Sequence, residues 1–259
     1  MFSKKIKPVF VSNKNLTRIG PKRDGGYVID KRIIKTIDHI ITCGLSDDWN
    51  FERDFLKINN NVVVTAYDHT VNRSFWINRF FKDILHLFLL KKLSIWKIIK
   101  IFRYIDYLFF FTNENKHHEI KIGKNNVKGK ENNLDIVLKN TKNILLKIDI
   151  EGAEYQILNQ IFKHNVKINC LIIEFHEIKK NMRKIVNFVE KNKNLKLIHI
   201  HANNVSGIDK SGFPSAIEIT FVNSKKIKYK KDKNNKNYPI KGLDYPSIKR
   251  REEIPLIFK

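Results

Sequence analysis

Apolar positions along this chain fall into short blocks whose spacing changes from one block to the next. IDHIITCG ends an apolar run at Gly44, and VVVTAYD (62–68) ends another at Asp68; both have the length and branched content of buried strands. Between them, NFERDFLKIN brings Phe51, Phe55 and Ile58 near one helical face. Strand, helix, strand predicts a right-handed parallel crossover. EIKIG (119–123) is a weaker third strand, and LDIVLKN (134–140) reads as a short helix. ILLKIDI (144–150) predicts a strand, and AEYQILNQIFKHN a helix through Ala153, Ile157, Ile161 and Phe162. NCLIIEFH (169–176) is again a strand, NMRKIVNFVEKN (181–192) a helix, and LKLIHIHA (195–202) and SAIEITFVN (215–223) two strands close together. This alternation predicts an α/β fold, a doubly wound and mostly parallel sheet ending in an antiparallel hairpin.

One segment breaks the alternation. Residues 75–111 are helical by spacing, aromatic and basic, with Lys91, Lys92, Lys97, Lys100 and Arg103 recurring through them. No stretch of it reaches the roughly 18–20 uncharged residues that a membrane span needs. It therefore reads as a helical insertion that packs on the domain or joins two copies, or as an interfacial helix that touches a membrane or a lipid-linked substrate. SKKIKYKKDKNNKN (224–237) is charged and poor in apolar residues, and reads as a solvated loop. The expected organisation is one domain over 1–259, with an N-terminal segment 1–37, the insertion 75–111, and a C-terminal basic loop and arm 224–259.

The 259 residues are 42% hydrophobic, enough for a proper core, and carry a net charge of +24. That charge permits contact with a polyanion or an anionic membrane. The excess is mostly Lys, accompanied by Asn and Ile, a bias that an AT-rich genome also produces; no recognisable RNA-binding module accompanies it. Cys43 and Cys170 each lie in an apolar run without metal-ligand spacing, so a reducing cytoplasm is expected.

In an open parallel sheet, ligands bind outside the carboxyl ends of the strands. The strand-closing residues here are Cys43–Gly44, Asp68, Asp149–Glu151, Glu174–His176 and His199–His201. Gly44 permits a turn that lets backbone approach a ligand. Asp68 closes the second strand, where an acid in nucleotide-type folds grips ribose hydroxyls. Asp149 ends an apolar strand, where an unpaired charge is costly, so it needs a cation, a metal or a hydrogen-bonding ligand. Glu174 and His176 share one strand face, as do His199 and His201. Carboxylate with imidazole suits proton transfer. It also suits a divalent metal with oxygen and nitrogen ligands, the set here being Asp149, Glu174 and His176.

KIDIEGAEYQIL resembles the signature of the FkbM-type methyltransferases, a Rossmann-like class that uses S-adenosylmethionine. RIGPKRDGGYVI (18–29), CGLSDDWNFERDF (43–55), LIIEFHE, HIHANN, AIEITF and LDYP (243–246) resemble the family in the same order. Where the broader class often has Gly-x-Gly-x-Gly, this chain has Gly44 alone. The resemblance implies a sheet of about seven strands with the last antiparallel, S-adenosylmethionine near Gly44 and Asp68, and methyl transfer to a hydroxyl. It implies that the hydroxyl is often on a sugar of a surface glycan or on a secondary metabolite, and the expected acceptor is a sugar, nucleotide-sugar or glycan of capsule or lipopolysaccharide. Asp24, Gly25, Gly26 and Tyr27 would then sit at the cofactor or acceptor pocket, and Asp149 beside the sulfonium. For the base, His176 and His201 are the candidates, with Glu151 reaching the acceptor; a Mg²⁺ or Mn²⁺ ion on Asp149, Glu174 and His176 is the alternative. Two other readings compete: an RNA methyltransferase, and a non-catalytic basic protein that docks on a membrane or polyanion. A homodimer and a peripheral membrane contact through 75–111 are the expected associations.

Overall fold

The computed structural model describes residues 2–89, 102–112, 114–209, 212–229 and 234–259. The middle of the insertion, with Lys91, Lys92, Lys97 and Lys100, lies outside the described residues.

The chain opens with an antiparallel hairpin, β1 (Leu16–Ile19) and β2 (Tyr27–Asp30). The central sheet then builds up from β3 (His39–Cys43), β4 (Val63–Tyr67), β5 (Lys116–His118), β8 (Ile144–Ile148), β9 (Ile168–His176), β10 (Leu195–Ile208) and β11 (Pro214–Asn223). Its order is β10-β11-β9-β8-β3-β4-β5. β4, β5, β8 and β9 all run parallel with β3, and β11 pairs antiparallel with both β9 and β10. The sheet is therefore Rossmann-like, doubly wound and mostly parallel, with the last strand reversed. The continuous apolar runs have their reason here: β8 is buried along its whole length, as a strand covered on both faces must be.

Helix α1 (Asn50–Ile58) crosses from β3 to β4. Phe51 and Phe55 are in the core as expected, but Ile58 is exposed on the last turn. Helices α2 (Arg73–Leu89) and α3 (Arg103–Phe110) form the described part of the insertion. Short helix α4 (Leu134–Val137) precedes β8, α5 (Glu154–His164) joins β8 to β9, and α6 (Ile178–Lys191) joins β9 to β10. The chain leaves β3 for β4 and β5 on one side, then returns to β8 on the other. The crevice between the carboxyl ends of β3 and β8 is thus the topological switch point, where ligands bind in such sheets.

The structure moves the third strand. The edge of the sheet is Lys116–His118, not EIKIG, and Lys121–Ile122 instead pairs with Glu131–Asn132 as β6 and β7. Backbone polar groups decide this: the Asp68 N–H donates to the His118 carbonyl, 3.1 Å, and the Val64 N–H to Asn115 Oδ1, 3.0 Å. The described parts of 224–237 also pack more closely than a solvated loop. Ile227 and Asn234 are buried, and the Tyr229 hydroxyl donates to Asp30.

The C-terminal arm lies along the start of the chain, with the Phe2 N–H donating to the Ile257 carbonyl and the Lys259 N–H to the Phe2 carbonyl. Two buried histidines of β10 fasten the rest of it. His199 Nε2 bonds Asp244, 3.1 Å; His201 is bonded by Glu218 at Nδ1 and Glu253 at Nε2, both 3.0 Å. Burial alone would lower the His201 pKa, but these two carboxylates outweigh it and raise it to about 10. A group raised above its unfolded value, about 6.5, stabilises the fold fully below that pH and ceases to do so as pH rises through its folded value. Thermal unfolding should therefore show stability lost between about pH 6.5 and 10, and His201→Gln should flatten that dependence.

Candidate active site

The loops after β3, β8 and β9 share an unusual feature. Ser46, Glu151 and Glu177, one in each, hold positive φ of 52°, 52° and 49°. Non-glycine residues in this region carry strain that surrounding structure must support, and such residues gather at functional sites. Gly44, at φ 86°, shows why the first loop needs glycine: a Cβ there would overlap the Asp149 carbonyl oxygen. The adjacent Cys43 carbonyl accepts the Asp149 N–H, 2.8 Å, so the two strand ends are held backbone to backbone. Gly44→Ala is expected to pry them apart and abolish cofactor binding, as isothermal titration would measure.

Three adjoining cavities open above these loops. One, about 740 Å³, is lined by Asp24, Asp149, Glu151, Glu174, His176, Glu177 and Asn203, among others. A second, about 270 Å³, is lined by Arg23, Asp24, Gly25, Tyr27, Gly44, Asp48, Asp68 and Lys147. The third, about 140 Å³, is an apolar slot between Tyr67, Ile120, Ile122 and Ile150. Asp149 and Glu151 line all three. One oxygen of Asp149, Oδ1, is buried with no hydrogen-bond partner among the described residues. Burial raises the Asp149 carboxyl to about 6; the charges of Glu151 and Glu154 add to this, and those of His176 and Lys147 oppose it.

His176 stands among four carboxylates. Its Nδ1 bonds Glu154, 3.0 Å, while Nε2 lies 3.4 Å from Glu151 and 3.8 Å from both Asp149 and Glu174. Burial lowers its pKa, but Glu154 and the acids around it prevail and the imidazole is raised above its ordinary value. Buried Glu174 accepts from Asn203, 2.9 Å, and burial with the charges of Asp149, Glu218 and Asp24 pushes its carboxyl well above the carboxylate range.

Several expectations change. His201 is no base for this site: it does not line the cavities, and both of its nitrogens are held by carboxylates that keep it protonated. Glu174 gives way to Glu151 in the candidate metal set. Among the described residues, Asp149, Glu151 and His176 offer ligand atoms within 4.8 Å of one another, whereas Glu174 is bonded to Asn203 and biased toward its neutral form. Gly26 does not face the cavities; it sits against the Pro21 carbonyl and the Arg18 guanidinium. Asp68 lines two cavities, yet its four acceptor positions are all taken. Oδ2 accepts from Leu45 N and Ser46 N at 2.8 and 2.9 Å, and Oδ1 from Thr70 N and Oγ1 at 2.8 and 2.6 Å. Burial would raise its pKa; these bonds outweigh that and lower it. Its first duty is to fasten the Gly44 loop, and only the Thr70 hydroxyl can rotate away to admit a ribose.

Beneath the middle cavity lies a pair that the strand-end reasoning missed. The Lys147 ammonium is buried, 3.0 Å from Glu52, whose same oxygen accepts from Thr42 at 2.6 Å. The faces of Tyr27 and Phe51 flank it, each ring centroid 5.7 Å away. A lone lysine inside the run ILLKIDI was the available signal, because a buried ammonium requires an acid.

Residues 109–196 match the model of the methyltransferase FkbM domain. The FkbM match spans β5 to the start of β10 and contains Asp149, Glu151, Glu174 and His176; it supports methyl transfer from S-adenosylmethionine. A comparison with curated proteins finds no match. Among solved structures, the pre-rRNA processing protein fibrillarin of Methanococcus jannaschii is 10% identical, with 84% of this chain and 87% of that chain covered and a TM-score of 0.38. A precorrin-6y C5,15-methyltransferase of Geobacter metallireducens is 8% identical, with 74% and 86% covered and a TM-score of 0.35. The fold assignment rests on the strand order itself. The middle cavity places Asp24 beside Arg23 and Asp48, which pair with each other at 3.2 Å, and the smallest cavity is the apolar slot.

Proposed function

We propose that the chain is an S-adenosylmethionine-dependent O-methyltransferase acting on a hydroxyl of a sugar or glycan. The observation that carries this reading is that Asp149 lines the two smaller cavities and the larger one at once. S-adenosylmethionine, when bound, supplies the electrophilic methyl group. The residues of the chain do the rest. The Asp149 carboxylate accepts the acceptor's hydroxyl proton, a role that suits a carboxyl raised to about 6. His176 is held by Glu154, and the acids around it favour its protonated form. Asn203 and the carboxylates offer the hydrogen bonds a polyol requires.

The large cavity also bears on the acceptor. Asp24, Asp149, Glu151 and Glu177 line it, beside a Glu174 biased toward its neutral form, on a chain that is otherwise strongly basic. A phosphate entering there would meet like charge. This disfavours RNA and nucleotide-linked sugars, and favours a hydroxyl of an uncharged sugar. A setting in surface polysaccharide synthesis follows from the family resemblance. Transfer of labelled methyl to a panel of glycans tests the reading: label should enter uncharged sugars and not their phosphorylated forms. S-adenosylhomocysteine that fails to bind in titration calorimetry would overturn it. A rate untouched by EDTA fits Asp149 as base, whereas a rate that needs Mg²⁺ or Mn²⁺ would assign Asp149, Glu151 and His176 to a cation.

A further inference from the structure

The insertion has two faces with different surroundings. Its inner face belongs to the protein. Trp76 of α2 and Tyr107, Phe110 and Phe111 beside α3 close around Trp49, next to the cofactor loop. Ion pairs reinforce that attachment, Arg79 to Asp47 at 2.7 Å and Arg53 to Asp106 at 2.6 Å. Both aspartates are thereby used up within the fold.

The outer face is apolar and open. On α2, Ile77, Phe80, Phe81 and Leu85 follow one another at helical spacing, and on α3 Ile105 and Phe109 do the same. Phe81 is 64% exposed and Phe109 79%. A groove of about 560 Å³ runs between the two helices, lined by Trp76, Ile77, Phe80, Phe81, Phe102 and Ile105, with Arg73 beside them. The Trp76 indole N–H, although the residue is buried, has no acceptor among the described residues. An apolar patch of this size on a protein otherwise rich in charge marks an interaction surface.

We propose that this face docks on the surface of an anionic lipid bilayer, with acyl chains filling the groove. Charge selects the occupant. Residues 73–111 contain eight Lys and Arg against two Asp; Arg79 and Arg103 pair with Asp47, Asp48 and Asp83, while Arg73 and Lys82 of the described residues and the four lysines between the helices leave the segment positive. A second copy would bring the same positive charge against itself, whereas anionic headgroups complement it. Aromatic and aliphatic residues on one face of a segment whose sequence is basic are the composition of helices that lie in the lipid–water interface. Among the described residues no helix is long and apolar enough to cross a membrane, so the contact is peripheral. Because the inner face is fastened to Trp49 and Asp47, docking leaves the core and the cavities in place.

Co-sedimentation of the full chain with vesicles of phosphatidylcholine alone and of phosphatidylcholine with phosphatidylglycerol tests this. Binding should require phosphatidylglycerol, weaken with salt, and fall by roughly tenfold or more in Phe81→Glu/Phe109→Glu. Phe109→Ser alone should lose part of the binding, and S-adenosylhomocysteine affinity should be unchanged in both variants, which shows that they fold. Four results would each overturn the proposal: no binding to either vesicle, equal binding to both, binding indifferent to the substitutions, or a Phe81-dependent dimer in sedimentation velocity. None of them touches the methyltransferase reading, which stands or falls on cofactor titration.

Discussion

Asp149→Asn should lower the rate of methyl transfer by about 10²–10⁴-fold, the usual contribution of a positioned general base, with S-adenosylhomocysteine binding nearly unchanged. The substitution preserves size and the backbone bond from Asp149 N–H to the Cys43 carbonyl, so the Gly44 loop keeps its place. It removes the carboxylate's ability to take a proton. The pH profile makes the assignment specific. Because burial raises the Asp149 carboxyl to about 6, the wild-type rate should climb as pH rises through that value and the carboxylate forms. In the Asn variant that limb should vanish from the residual rate. Single-turnover measurements from pH 5 to 8 would check both points, and a variant with the wild-type rate would remove Asp149 from the chemistry.

Lys147→Met should cost about 3–5 kcal/mol, because it leaves the Glu52 carboxylate buried without its cation. For a chain of this size that corresponds to a melting temperature lower by about 6–20 °C. Glu52 has no exposure in the fold and Lys147 is nearly as buried. Burial lowers the lysine pKa but Glu52 outweighs it and holds the ammonium charged. The double variant Lys147→Met/Glu52→Gln should recover much of the loss, since removing both partners leaves no buried charge and Gln can still accept from Thr42. Calorimetric melting of the three proteins checks this. Equal melting temperatures for the single and double variants would show that packing on Tyr27 and Phe51, rather than charge, is what the lysine provides.

These two residues stand two apart on β8 and its end, yet they were not equally legible in the chain. Asp149 declared itself: an acid that ends an apolar run at a strand's carboxyl terminus points to the ligand side of a parallel sheet. Lys147 was visible in the same run, but its partner was not, since Glu52 lies 95 positions away and only the β3–β8 pairing brings α1 over that face. The histidines divide in the same way. In sequence both His176 and His201 close an apolar run, although only His176 has acids beside it, Glu174 and Glu177. Their different duties come from the arm, whose Glu253 reaches back 52 positions to take the second nitrogen of His201. Asp68 was rightly placed at the end of β4. That its oxygens would be filled by Leu45, Ser46 and Thr70 depends on how two loops fold over it.

By itself, then, the sequence determined the succession of strands and helices, the parallel sheet with its reversed last strand, and the acids that ring its carboxyl edge. Those follow from local periodicity and from the rule that continuous apolar strands must be covered on both faces. The tertiary structure decided which of those acids lines all three cavities, which histidine is held between two carboxylates, and where the third strand pairs. Each of these depends on hydrogen bonds and desolvation between residues far apart in the chain, and a carboxylate's chemistry is set by those neighbours rather than by its position along the sequence.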